Sequence, residues 1–258
     1  MTGSKDIFEN AIKLTVITVC FNAKKTIKRT LESVLSQKCN KFDYLIIDGK
    51  STDGTVEILE EYKEKFKDEA IKMNYISEED DGLYDAMNKG IRLADGEWLI
   101  FMNADDEFYD ENAIENFILE ATDKSAVIYG DSCIVDEKEI TFRKSQPIDT
   151  IVKHLPFIPQ SAFIRTEIQR LYLFDTKYKI AADFDCFLRM YLDGHVFTQT
   201  NNVFSKFYMG GISNKDEWKT YKEDITIKHN NGIINKYSLI QLLKYIRRYC
   251  MEKINVFK

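Results

Sequence analysis

ADGEWLIFMNADD, residues 94–106, decides how the rest of the chain is read. Trp98 to Met102 is an unbroken apolar run, the pattern of a strand buried on both faces, and it halts at Asn103-Ala104-Asp105-Asp106. Adjacent carboxylates at the end of a buried strand repel each other and lose hydration, so they need a counter-charge. Oxygen ligands at such a place suit Mg²⁺ or Mn²⁺. A plainer reading has Asp106 and Glu107 capping a helix that begins near Asp110-Glu111-Asn112.

Upstream, strand and helix patterns alternate. Leu14 to Cys20 (LTVITVC) is β-branched and apolar, a buried strand. Thr26 to Gln37 carries Ile27, Leu31, Val34 and Leu35 at helical spacing. Phe42 to Ile47 reads as a second strand, Val56 to Phe66 as a helix, and Ile71 to Ile76 as a third strand. Such alternation predicts a mainly parallel sheet, whose ligands sit beyond the carboxyl ends of the strands. Asp48 occupies one of those ends. Gly49 and Gly54 give its loop backbone freedom, and Asp53 is placed to cap the next helix. The GKS at 49–51 is not a phosphate loop, because Tyr44 stands where the earlier glycine is required. No G-x-G-x-x-G follows the first strand, which argues against a dinucleotide cofactor.

Ser77 to Gly90 is an acidic loop running into a helix whose core face is Leu83, Met87 and Ile91. Tyr84, Asp85, Asn88 and Lys89 fall on its other faces. Farther on, Ala126 to Tyr129 reads as a strand ending at Gly130-Asp131. Cys133 to Val135 and Ile140 to Arg143 flank a hairpin turn, and Val196 to Phe207 reads as one or two strands. Asp183 opens a helix with Phe184, Phe187, Leu188 and Tyr191 facing inward; a carboxylate there is often only an N-cap. Asp185 and Arg189 are spaced to pair as i and i+4. His154, His195 and His229 have no metal-ligand spacing.

The totals bound the answer. A chain of 258 residues with 44% hydrophobic and 30% charged residues predicts one large α/β domain with a smaller appendage. A net charge of -6 argues against a general nucleic-acid binder. Cys20, Cys39, Cys133, Cys186 and Cys250 are scattered, which predicts reduced thiols rather than a disulfide or zinc framework. MTGSKDIFEN is polar, with no signal-peptide apolar segment, and no run is long enough to cross a membrane. The expectation is a cytoplasmic protein, with any membrane contact peripheral and at the cytoplasmic face of the inner membrane.

ITVCFNA (17–23), IIDGKSTDGT (46–55), DDGLYDAMNKGI (80–91), GEWLIFMNADD (96–106) and AADFDCFLR (181–189) together resemble the family-2 glycosyltransferases. Within them the chain is most similar to the bacterial branch that builds capsule, exopolysaccharide or O-antigen repeat units. The resemblance implies a GT-A fold, Rossmann-like with helices flanking a mainly parallel sheet, and a C-terminal helical extension. It divides the chain into a tail at 1–11, a catalytic domain at 12–213 and a helical segment at 214–258. Residues 12–106 would hold the nucleotide sugar and 107–213 the acceptor.

The implied activity is metal-dependent, inverting transfer of a sugar from a UDP-sugar or other nucleoside-diphosphate sugar. The acceptor is a hydroxyl of a glycan or a polyprenyl-diphosphate-linked glycan. By the same resemblance Asp48 contacts the base, Asp105 the ribose side, and Asp106 ligates Mn²⁺ or Mg²⁺. Asp80, Tyr84, Asp85, Asn88 and Lys89 fall where the family lines the sugar and phosphate region, and Asp183 where it places the catalytic base. Asn103 departs from the family's usual acidic opening of this motif, and Pro159 stands where members often have His before the residue matching Gln160. Tyr208 to Ser213 matches a glycine-rich loop over the active site. Ser238 to Val256 is an amphipathic helix with Lys244, Arg247, Arg248 and Lys253, suited either to packing on the domain or to lying on anionic lipid.

Two other classes compete. A sugar-phosphate nucleotidyltransferase needs a glycine-rich loop after the first strand, and Phe21-Asn22-Ala23 is not one. A nucleotide-sugar-binding module without turnover would keep the donor residues alone.

Overall fold

The computed structural model describes residues 13–122, 124–136, 139–209 and 217–233. The N-terminal tail, the glycine-rich loop from 210 onward and the helix at 238–256 therefore lie outside the described residues. The first half is a parallel sheet built as the apolar runs require. Strand β1 (Leu14–Cys20) is buried along its whole length and lies between β2 (Phe42–Asp48) and β4 (Trp98–Phe101), with β3 (Lys72–Ser77) outside β2. The register sets Cys20 beside Asp48 and Asp48 beside Ser77, so the carboxyl ends of three strands finish together.

Each face of this sheet is covered, which is why its central strands are apolar without alternation. Ile17, Val19, Leu45, Ile47, Leu99 and Phe101 pack on one side against α3 (Leu83–Leu93). Leu14, Val16, Ile46, Trp98 and Ile100 pack on the other against α1 (Ile27–Leu35) and α2 (Thr55–Asp68). In α1 the buried residues are Ile27, Thr30, Leu31 and Val34, a single stripe at i, i+3, i+4 and i+7.

Beyond β4 the sheet changes direction. β5 (Glu107–Phe108) is short, and α4 (Ala113–Glu120) leads into β6 (Val127–Val135), the hairpin strand β7 (Ile140–Arg143) and β8 (Ala162–Arg165). Helices α5 (Thr166–Leu171) and α6 (Ala182–Leu192) precede the long β9 (Phe197–Tyr208), and α7 (Glu217–Asn230) follows. Among the described residues the sheet order is β3-β2-β1-β4-β8-β6-β9-β5, with β7 added to β6. β8 runs antiparallel to β4 and to β6, while β9 is parallel to β6 and antiparallel to β5. The β5–β9 pairing sets Glu107 opposite Lys206, so the end of β9 arrives over the Asp105-Asp106 turn.

One boundary differs from the sequence reading. Gly130-Asp131 does not end a strand: β6 runs unbroken to Val135, with its pairing to β9 irregular between Tyr129 and Ser132. Gly130 is there because β9 passes so close that a Cβ would stand 2.3 Å from the Asn202 carbonyl oxygen. The segment from Val196 is a single strand. Cys20, Cys39, Cys133 and Cys186 are free thiols, and Arg189 pairs with Asp185 at 2.8 Å. Among the described residues no helix is long and apolar enough to cross a membrane.

Candidate active site

The carboxyl ends of β1 and β4 open into a cavity of about 670 Å³. Cys20, Phe21 and Ala23 line it from β1, Asn103 to Asp106 from β4, Tyr84 from α3, and Asp183 from α6. Gln160, Tyr208 and Met209 complete the far wall. Asp105, Asp106 and Asp183, separated by almost eighty positions in the chain, thus share one space.

The turn bearing the first two is held by hydroxyls. Thr18 Oγ1 donates to the Met102 carbonyl (2.6 Å) and Thr26 Oγ1 to that of Ala104 (2.6 Å). Thr30 Oγ1 donates to both Asn103 (3.1 Å) and Asp106 (2.8 Å) carbonyls. Asp105 is half-exposed and pairs with Arg29 at 3.2 Å. That guanidinium also faces Glu107 at 3.6 Å and lies 3.9 Å over the Tyr208 ring, so it is already engaged.

Asp106 is different. It is buried, it accepts the Tyr208 N–H at 3.3 Å, and burial pushes its carboxyl up to about 8, with Asp105 adding to the effect. Beside it, Asn103 Oδ1 and Gln160 Oε1 are buried without any hydrogen-bond partner. A desolvated carboxylate and two unpaired amide oxygens are a donor set that fits a hard divalent cation. Among the described residues no three His, Cys, Asp or Glu side chains converge, so most of a cation's ligands would come from substrate oxygens and water.

Asp183 lies in the first turn of α6; the N-cap residue is Ala181. Its Oδ1 accepts the Phe184 N–H at 2.8 Å and the Tyr84 hydroxyl at 3.3 Å. Burial, with a smaller contribution from Asp224, pushes it up to about 6. Tyr84 also donates to the Ile180 carbonyl at 2.6 Å, tying α3 to the start of α6.

The remaining residues singled out in the sequence do not line the cavity. Asp48 is fully buried one side chain behind Cys20, accepting from Ser51 N–H (2.9 Å), Ser51 Oγ, Ser77 Oγ (2.6 Å) and Cys20 Sγ (3.5 Å). Asp80 accepts the Gly82 N–H at 2.9 Å and lies so close to Gly49 that a Cβ there would touch its carboxylate at 2.5 Å. Asp85 accepts the Asp81 N–H at 3.2 Å, and Lys89 turns to the acidic loop, meeting the Glu79 carbonyl at 2.6 Å and Glu78 at 3.0 Å. Asn88 is buried: its amide takes both backbone groups of Phe174, at 2.8 and 2.9 Å. Two residues of the site, Phe21 in the cavity lining and Arg29 paired with Asp105, went unnoticed in the sequence. Phe21 is 65% exposed at the rim, and Arg29 is marked only by the general need of an acidic turn for a cation.

An open α/β sheet that places acids beyond its central strands, then reverses direction to close over them, is the GT-A architecture. The match to solved structures agrees. TarS 1-349 of S. aureus in complex with UDP superposes with a TM-score of 0.66 at 18% identity, covering 85% of this chain and 65% of that longer one. The mannosyltransferase PcManGT of Pyrobaculum calidifontis, in complex with GDP-Man and Mn²⁺, gives 0.64 at 18% identity, covering 88% and 66%. The family model for glycosyl transferase family 2 matches residues 15–196, and the chain belongs to that family. It is 27% identical over 224 residues to a PGL/p-HBAD biosynthesis glycosyltransferase of Mycobacterium bovis, covering 84% of this chain and 86% of the relative. It is also 26% identical over 215 residues to the amylovoran biosynthesis glycosyltransferase AmsB of Erwinia amylovora, covering 77% and 70%.

Proposed function

We propose that this glycosyltransferase moves a sugar from a UDP-sugar to a hydroxyl of a glycan or lipid-linked glycan in the assembly of a surface polysaccharide, with inversion at the anomeric carbon. The observation that carries this reading is the single cavity shared by Asp105-Asp106 and Asp183. Residues 12–106 serve the donor and the residues after them the acceptor. The exposed Phe21 ring at the rim offers a flat apolar surface for the base, and Asp105 meets the ribose. Asp48 reaches the base only if it gives up one of its present hydrogen bonds. Asp106, with Asn103 and Gln160 oxygens beside it, would hold Mn²⁺ or Mg²⁺. Such an ion, when bound, stabilises charge on the departing diphosphate.

Asp183 stands in the same space on a different element and takes the proton from the attacking hydroxyl. With its carboxyl near 6 it is mostly ionised at neutral pH and still basic enough to accept. The Tyr84 hydroxyl orients it.

The deciding experiment pairs Asp183→Asn with Asp106→Ala. Asp183→Asn is expected to lower transfer, and leakage of donor to water, by about 10²–10⁴-fold while Mn²⁺-dependent UDP binding by calorimetry stays within about twofold. Asp106→Ala is expected to weaken that UDP binding itself. Equal loss of both properties in both variants contradicts the separate roles. A wild-type protein that binds UDP-sugars with Mn²⁺ yet never hydrolyses one is a binding module instead.

A further inference from the structure

The loop that carries the start of α6 is held from outside the segment that the family model matches. Glu223, on α7, accepts three consecutive backbone N–H groups: Lys179 (2.9 Å), Ile180 (2.8 Å) and Ala181 (2.9 Å). Successive N–H groups aimed at one point form an anion-binding concavity, and here a carboxylate of the same chain fills it. The Ile180 carbonyl is meanwhile taken by the Tyr84 hydroxyl, so this peptide is fixed on both sides. α6 has no side-chain cap of its own, so the path of residues 179–181 into it depends on these outside partners.

Other contacts from the same helix and from Asn231 just after it flank Asp183. Asn230 Nδ2 donates to the Tyr178 hydroxyl at 3.0 Å, and Asn231 Nδ2 to Asp185 Oδ1 at 3.2 Å. Lys228 Nζ reaches the Lys153 carbonyl at 2.6 Å. The chain is therefore gripped before and after the cavity acid, while Lys179, Ile180 and Asp183 all face the cavity.

We propose that Glu223 is a positioning residue for Asp183, and that α7 is part of the catalytic unit rather than an appendage to it. This inference rests on reading Asp183 as the base. Glu223 touches no reacting atom; it sets where the Asp183 carboxylate stands relative to the acceptor hydroxyl. An error of about 1 Å in such a group costs about 100-fold in rate.

The test is a double-mutant cycle on metal-dependent hydrolysis of whichever of UDP-glucose, UDP-galactose and UDP-N-acetylglucosamine the wild type turns over fastest. Glu223→Ala is expected to lower kcat about 100-fold, with Mn²⁺-dependent UDP affinity within about twofold. Glu223→Gln keeps one oxygen acceptor, so its loss is expected to be smaller. In the Asp183→Asn background either change is expected to cost nothing further. If Glu223→Ala fails to fold, Glu223→Gln carries the cycle. Losses that multiply in the double variant, or a matching loss of UDP affinity, overturn the positioning role. Full turnover by Asp183→Asn alone sinks the base reading and this inference with it; no turnover by the wild type sinks the transferase reading first.

Discussion

Asp106 and Asp183 face one cavity, yet the protein shifts them to different degrees. Asp183 is given a phenol hydroxyl and a backbone N–H, and its carboxyl is pushed only to about 6. Asp106 has a long backbone hydrogen bond from Tyr208, a side-chain hydrogen bond from Gln160 and an acidic neighbour, and burial pushes it to about 8. The Arg29 guanidinium is committed to Asp105 and Glu107. On the proposed roles, the contrast separates a group suited to exchanging a proton near neutral pH from one that stays largely protonated there until a cation arrives.

The largest effect that bears on this contrast is in the pH–rate profile. Asp183 must be ionised to act, so kcat/KM is expected to fall below pH 6, about tenfold per unit. A profile flat down to pH 4 breaks the assignment.

Next comes the stability of the metal-free protein. Asp106 has its folded value above its unfolded one, so the native state binds more protons than the unfolded chain between about 4 and 8. Stability contributed by the protonated form is therefore present at the low end of that window and is lost as pH rises through about 8. Thermal melts are expected to show this decline in chelator, a reversal on adding Mn²⁺ with UDP, and a flatter profile in Asp106→Asn. A metal-free protein whose stability climbs across that window contradicts the burial argument.

Tyr84→Phe sharpens the Asp183 side of the comparison. The hydrogen bond from Tyr84 holds the Asp183 value down, so removing it moves the acid limb to higher pH and lowers kcat about tenfold. An unmoved limb makes Tyr84 a scaffold residue only. The smallest effect on chemistry is expected from Asn88→Ala. Its amide is spent on Phe174, so the loss is about 1–3 kcal/mol of stability with UDP binding unchanged. Weakened UDP binding at unchanged stability would return Asn88 to the donor region.

The sequence conveyed the first half of the fold well because β1, β2 and β4 are apolar runs joined by helices with clear stripes. It conveyed the second half less evenly. Gly130 and Asp131 carry turn chemistry, yet the close pass of β9 makes Gly130 a strand residue that only a distant neighbour explains. Asp105, Asp106 and Asp183 stood out as carboxylates at strand and helix ends. Asn88 falls by resemblance in the donor region, and its grip on the Phe174 backbone, 86 positions away, is not legible in the helix pattern. Arg29 and Glu223 were silent for the same reason: each is an ordinary charged helix residue whose partners lie about 75 and 45 positions away.

The threonine hydroxyls that pin the Met102–Asp106 backbone act before any ligand is present. The conformational entropy of that turn is surrendered during folding, not at the moment of donor capture, so association there starts from a preorganised cradle. Thr18, Thr26 and Thr30 should therefore be left untouched in any library that seeks a new donor sugar, with diversity directed to the rim around Phe21 and Met209.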